Sequence, residues 1–125
     1  MLGNTKAFSG FSVNDLDAAQ RFYGETLGVE VSENDAGLTL HIAGDRPILV
    51  YPKDNHEPAT FTILNFPVDD VEGTVAGLTE RGVEFERYEG TELETDEQGI
   101  FRGGGPLIAW FKDPAGNVLS VIKAD

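Results

Sequence analysis

Two imidazoles, His41 and His56, are the only neutral-pH bases in this chain, and it has no cysteine to act as a nucleophile or thiolate ligand. His41 interrupts the apolar run Leu38-Thr39-Leu40-His41-Ile42. Alternation places it with Thr39 on the face opposite Leu38, Leu40 and Ile42. It is either a ligand-facing group or a strand histidine satisfied by the backbone, and it is the one candidate general base, acting with Tyr51 or a carboxylate. His56 falls in the polar linker Lys53-Asp54-Asn55-His56-Glu57-Pro58 and reads as a solvated loop residue. Ser120 lies in an apolar strand, and nothing in the sequence orients His41 against it, so no nucleophile constellation emerges. Gly103-Gly104-Gly105 does not lead from a strand into a helix, which excludes a phosphate cradle and leaves a bendable loop.

The elements that must position these residues come in two copies. Lys6–Val13 reads as a half-buried strand, and Asp15 caps a helix carrying Leu16, Ala19, Tyr23 and Leu27, which Gly28 stops. Val29-Glu30-Val31 resumes extended structure, Ser32–Gly37 turns it, and Leu38–Ile42 and Ile48–Tyr51 are further strands. The pattern then repeats. Phe61–Pro67 is a strand, and Val68-Asp69-Asp70-Val71-Glu72 restates Val13-Asn14-Asp15-Leu16-Asp17 at a spacing of 55 residues. Asp70 caps a second helix with Val71, Val75 and Leu78, stopped by Gly82, and Gly82-Val83-Glu84-Phe85 restates Gly28-Val29-Glu30-Val31. Gly73 and Gly77 each weaken that helix by about 1 kcal/mol relative to alanine, so it must lean on a sheet.

The loop 89–99 is the main departure between the copies, and the last hairpin turns at Asp113-Pro114-Ala115-Gly116-Asn117. Within that hairpin Trp110, the single tryptophan, takes the place that His41 has in the first copy. The two would form a stacking and hydrogen-bonding platform for a planar ligand; the alternative is that both are structural. The fold class expected is α+β, with pseudo-repeats at 6–53 and 60–123 making one domain over 1–125. A ferredoxin-like sandwich is the other pattern with split βαβ units, and the extra hairpin in each copy argues against it.

Charge and composition exclude several partners. A formal net charge of -13 repels phosphate backbones and anionic lipid, so neither nucleic acid nor membrane is expected. No run of about 18 apolar residues exists, and Met1–Lys6 lacks the apolar core of a signal peptide. Together with the absence of cysteine, this leads to the expectation of a cytoplasmic protein. Acidic residues crowd between Glu84 and Glu97 with only Arg87 among them, a solvated edge and loop rather than a cation site.

The closing stretch Trp110-Phe111-Lys112-Asp113-Pro114-Ala115-Gly116-Asn117, followed by the alternating Val118–Ile122, resembles the end of vicinal oxygen chelate superfamily chains. This superfamily holds the glyoxalases, bleomycin-resistance proteins and extradiol dioxygenases, and the resemblance extends over nearly the whole sequence. It implies two tandem βαβββ units forming a curved, cupped eight-stranded mixed sheet with helices on the outside. It also implies a homodimer. Its enzymes hold a divalent metal with one ligand from each of four related strand positions. Carried over, those positions are Phe8, Ile63, Ser120 and Val50, or Tyr51 if the register moves by one. None is histidine or glutamate, and one hydroxyl among apolar side chains cannot hold a divalent ion, so no metal and no cofactor are expected.

The resemblance therefore implies a metal-free small-molecule-binding protein of the bleomycin-resistance type, with an aromatic or hydrophobic ligand in the sheet cavity. The residues expected to line the site are Phe8, His41, Val50, Tyr51, Ile63, Phe101, Arg102, Trp110 and Ser120. Arg102 would serve an anionic group, whereas the net charge favours cationic ligands. The alternative is a lyase, isomerase or dioxygenase-type enzyme using His41 as base or an unrecognised metal site. A third reading is a small α+β module that acts through a protein partner.

Overall fold

Asp15 and Asp70 start the two helices in the way their positions require. In the computed structural model, which describes residues 1–125, Asp15 Oδ1 accepts the Ala18 N–H at 3.1 Å and Asp70 Oδ1 accepts the Gly73 N–H at 2.9 Å. Each bond satisfies one of the orphan donors of a helix N-terminus. Helix α1 runs Leu16–Arg21 and helix α2 Val71–Glu80. The end of α2 is a Schellman closure: the Val83 N–H donates to Leu78 O and the Gly82 N–H to Thr79 O, both at 3.0 Å, with Gly82 at φ +93°.

The first helix ends differently from the regular helix expected through Leu27. It widens into a π-helical turn, Phe22–Thr26, in which the Leu27 N–H reaches Phe22 O at 2.9 Å. Val29 N–H then bonds Tyr23 O at 2.8 Å past Gly28 at φ +74°. The wider turn accommodates one extra residue between cap and stop. This is why Asp15 and Asp70 lie 55 positions apart while Gly28 and Gly82 lie 54 apart.

The chain divides into two compact units, Met1–Glu57 and Pro58–Asp125. The N-terminal unit holds β1 (Ser9–Val13), β2 (Glu30–Asn34), β3 (Gly37–Ile42) and β4 (Arg46–Pro52) in the sheet order β1-β4-β3-β2. The C-terminal unit holds β5 (Thr62–Val68), β6 (Ile100–Phe101), β7 (Ile108–Lys112) and β8 (Val118–Lys123) in the order β5-β8-β7-β6. In each, the first strand is parallel to the last and the remaining pairs are antiparallel. The α+β class and the duplicated βαβββ pattern are thus as expected, with the eight strands arranged as two four-stranded mixed sheets. No helix is long and apolar enough to cross a membrane.

Strand alternation sorts each sheet into a helix-covered face and an opposite face. In the C-terminal unit α2 packs on β7 and β8, and buries Val71 and Val75 with Ala109, Phe111, Leu119 and Val121. Each valine, leucine or phenylalanine among them is worth about 1.5–3 kcal/mol of burial, enough to offset the glycines of α2. Alternation then places Asn65, Ser120 and Trp110 in one cross-strand row on the other face, where Asn65 pairs Ser120 and Ser120 pairs Trp110. In the N-terminal unit Leu38, Leu40, Ile48 and Val50 are buried on the side of Tyr23 and Ala19, and the row equivalent to Asn65-Ser120-Trp110 is Gly10-Leu49-Thr39.

The strand register and burial correct four expectations. The N-terminal counterpart of Ser120 is Leu49, not Val50 or Tyr51, and Trp110 corresponds to Thr39, while His41 corresponds to Lys112. Val50, the register partner of Leu38, is wholly buried on the helix side. The polar segment Ser32–Asn34 belongs to β2 and only Asp35 and Ala36 make the turn, because an edge strand with one wet face tolerates polar residues.

The sheet edges differ most between the units. β2 is a continuous five-residue strand against β3. In the C-terminal unit the same edge is made of Phe85, bridged to Phe111, and the two residues of β6, with residues 86–99 inserted between them.

Candidate functional site

Trp110 is the centre of an aromatic group on the face opposite the helix. Its indole meets the Tyr88 ring edge-on, with centroids 5.3 Å apart and planes at 64°, and the Phe101 ring at 6.0 Å and 48°. Both spacings lie in the range where aromatic pairs attract beyond their buried area. Phe101 comes from β6, paired with Ile108, and so lies on the same face as Trp110. Tyr88 comes from the inserted segment. Trp110 itself is 8% exposed.

Polar groups on that face are few and are paired. Ser120, wholly buried next to Trp110, donates its hydroxyl to Asn65 Oδ1 at 2.5 Å. The serine hydroxyl is therefore committed to a neutral amide carbonyl. Burial, with added repulsion from the Glu86 carboxylate, raises the Tyr88 phenol above the usual tyrosine range and keeps it neutral.

Arg102 is held where α2, the insert and the loop after β6 meet. Its Nε donates to Asp96 Oδ2 at 2.7 Å, and its Nη2 lies 3.6 Å from Glu72 Oε2. Burial alone would raise the Asp96 carboxyl. The hydrogen bond from Arg102, backbone donation from Ile100 and Gln98 and the guanidinium charge outweigh it, leaving the group below the usual carboxylate range. Arg102 is thus neutralised by two carboxylates, against the expectation that it is available for an anionic ligand. The acidic insert likewise has more counter-charge than Arg87. Lys112 reaches Glu86 at 3.6 Å and Arg102 reaches Asp96, while Arg87 donates to the Asp96 carbonyl at 2.8 Å.

The remaining expected residues are placed as follows. In the C-terminal unit Ile63 occupies a register shift in β5 between Thr62 and Leu64, so it has no strand partner on β8. In the N-terminal unit Phe8 lies ahead of β1 rather than in it and is 66% exposed, and Tyr51 lies on β4 on the face opposite Val50. His41 is exposed, and its Nε2 shares a 2.7 Å hydrogen bond with Ser32 Oγ across β2 and β3. His56 is not a free loop residue: it is half-buried, and its Nδ1 shares a 2.6 Å hydrogen bond with Ser12 Oγ. The structure therefore gathers Trp110, Phe101 and Ser120 in one place and leaves Phe8, His41, Val50 and Tyr51 to the other unit.

Tyr88 is the residue that sequence reasoning misses. It lies in the acidic segment that reads as solvated, and an aromatic residue between Glu86 and Glu89 is the one local signal that part of this loop packs. A concavity of about 640 Å³ opens on the helix side of the same unit, lined by Val75, Ala76, Val83, Glu84, Phe85, Arg87 and Glu97. Trp110, Tyr88, Phe101 and Ser120 are not among its lining residues.

Phe8, Ile63 and Leu49 carry no ligand atom, Ser120 is spent on Asn65, and no three histidine or carboxylate side chains converge in a metal-holding arrangement.

Known proteins bear on the same chain. The family model described as the Glyoxalase/Bleomycin resistance protein/Dioxygenase superfamily matches residues 8–121. Among curated proteins no sequence matches. Several solved structures share the fold. TnmS3, an antibiotic binding protein from Streptomyces sp. CB03234, is 26% identical, with 98% of each chain covered and a TM-score of 0.65. A glyoxalase/bleomycin resistance protein from the same organism is 27% identical, covering 94% of this chain and 100% of its own, at a TM-score of 0.59. A superfamily member from Sphaerobacter thermophilus, at 24% identity, covers 98% of this chain and 99% of its own with a TM-score of 0.68, a likeness of fold alone.

Proposed function

Because the chain belongs to the glyoxalase/bleomycin resistance protein/dioxygenase superfamily, we propose that it is a cytoplasmic, metal-free binding protein that holds a small planar aromatic molecule against Trp110. The observation that carries this reading is the aromatic group of Trp110 and Phe101 beside a single polar pair, the buried Ser120 hydroxyl bonded to the exposed Asn65 amide. Aromatic walls with one or two fixed polar groups are the usual make-up of a small-ligand site. The donor set at the four positions that carry metal in related enzymes argues against Lewis-acid chemistry, because those side chains cannot polarise vicinal oxygens through an ion they do not hold. The antibiotic-binding relative supports a small-molecule ligand. The net charge of -13 and the neutralisation of Arg102 favour neutral or cationic ligands over anions. An enzymatic role with His41 as base ranks behind this, since His41 is already engaged by Ser32.

The test is a thermal-shift and fluorescence titration with planar aromatic antibiotics. A ligand at a hundredfold excess over its Kd stabilises the native state by about 2.7 kcal/mol. For a chain of this length that is about 10 °C in Tm. Quenching of the single tryptophan should accompany the shift, and Trp110→Leu should abolish it. Absence of both effects across the panel, or stoichiometric binding of manganese, nickel or zinc, overturns the reading.

A further inference from the structure

The insert that breaks the C-terminal sheet edge is tied shut at its base. Glu86 N–H donates to Trp110 O at 2.7 Å, Thr95 N–H to Arg87 O at 2.9 Å, and Thr95 Oγ1 to the carbonyls of Glu86 and Arg87 at 3.0 and 2.8 Å. Asp96 closes the other side, accepting the Gln98 and Ile100 N–H groups and the Arg102 guanidinium. Residues 88–94 are thereby set off as a small loop above a fixed neck. Its first residue, Tyr88, has φ +49°, a left-handed conformation unfavourable for a tyrosine, and its carbonyl accepts both the N–H and the hydroxyl of Thr91 at 3.2 and 2.7 Å. The loop thus places a phenol ring against the indole through a backbone conformation that it would otherwise avoid. The N-terminal unit, whose edge strand β2 is unbroken, has no equivalent segment.

We propose that Tyr88 is the specificity-determining residue of the Trp110 site: its ring stands in for the ligand's own ring, and an aromatic ligand binds by displacing it. This rests on the assignment of Trp110 as the binding platform. A strained backbone releases its strain when the ring leaves, and the fixed neck confines the movement to residues 88–94. The ring that replaces a neutral phenol on this acidic segment is an uncharged or cationic one, about the size of a benzene or naphthalene system. Anionic aromatics are disfavoured by Glu86 and by the lack of a free cation, since Arg102 is engaged.

The experiment uses the whole chain, with N-phenyl-1-naphthylamine as an uncharged fluorescent probe and acrylamide as a quencher of the single tryptophan. Without ligand, Tyr88→Ala should red-shift the tryptophan emission and raise the acrylamide quenching constant at least twofold, while Tyr88→Phe behaves as the parent protein. With probe, Tyr88→Ala should bind roughly two- to tenfold tighter, because an aromatic contact of ordinary strength no longer has to be broken. Thr91→Val, which removes one hold on the Tyr88 carbonyl but keeps the ring, should give a smaller change in the same direction and stands in if Tyr88→Ala does not fold. Probe binding that weakens or stays unchanged in both variants overturns the proposal, and so does tryptophan quenching that does not respond to Tyr88→Ala. Probe binding that is insensitive to Trp110→Leu overturns the platform itself, an outcome distinct from the failure of Tyr88 displacement.

Discussion

Gly73 and Gly77 look alike in the sequence, yet the structure separates them. Gly77 is on the exposed face of α2 and an added Cβ would meet nothing, so Gly77→Ala should gain the full helix-propensity difference of about 1 kcal/mol. At Gly73 a Cβ would overlap the carboxylate of Asp70, the group that caps the Gly73 N–H at 2.9 Å. Displacing that carboxylate forfeits a cap worth about 1 kcal/mol, which cancels the propensity gain. An unfolding entropy of about 2.1 cal/mol/K per residue makes 1 kcal/mol equal to about 4 °C in this chain. Melting curves should show Gly77→Ala up by about 4 °C and Gly73→Ala within a degree of the parent. In an Asp70→Ala background the cap is already absent, so Gly73→Ala should recover the gain, the sign of coupling between neighbours. Equal gains at both glycines in the parent protein would refute the argument, as would a loss at Gly77.

Two further outcomes follow from the buried and charged groups. Asp113 is 5% exposed and accepts the N–H groups of Ala115 and Asn117 and the Asn117 side-chain amide, so Asp113→Ala should destabilise by about 3 kcal/mol by stranding those donors; a change below about 1 kcal/mol in urea unfolding would contradict this. The Asp96 carboxyl is depressed in the folded protein, so its contribution is present above the usual carboxylate range and fades as pH falls through and below it. Asp96→Asn should accordingly lower Tm at pH 7, with the gap to the parent closing as pH falls below the usual carboxylate range, and a gap that persists in acid would show that the clasp to Arg102 is not electrostatic.

What was legible in the sequence were the groups that act locally. Asp15, Asp70, Gly28 and Gly82 announce caps and stops because capping uses residues three or four apart, and Asp113–Asn117 announces a turn because its hydrogen bonds lie within five residues. Strand parity was legible only near these anchors. The match of Trp110 with His41 failed because the insert 86–99 and the π-helical turn change the spacing of later strands, which only the register of β3 on β4 and β7 on β8 reveals. β6 escaped notice because two residues set off by Gly99 and Gly103 carry no periodicity. The Ser120–Asn65 bond joins residues of two parallel strands 55 positions apart, and Tyr88 reaches Trp110 through a positive φ that no tyrosine advertises.

The broken edge of the C-terminal sheet also bears on self-association. A continuous edge strand offers a ladder of free N–H and C=O groups on which another chain can add, the first step toward fibrous aggregates. Here that edge is reduced to Phe85 and two residues of β6, and the Glu86 and Arg87 carbonyls that would extend it are consumed by Thr95. The N-terminal edge, β2, keeps its full length but carries Glu30 and Glu33, whose charges repel a like strand laid alongside. The insert thus acts as a gatekeeper as well, and trimming 88–94 to a tight turn would trade solubility for a longer, stickier sheet.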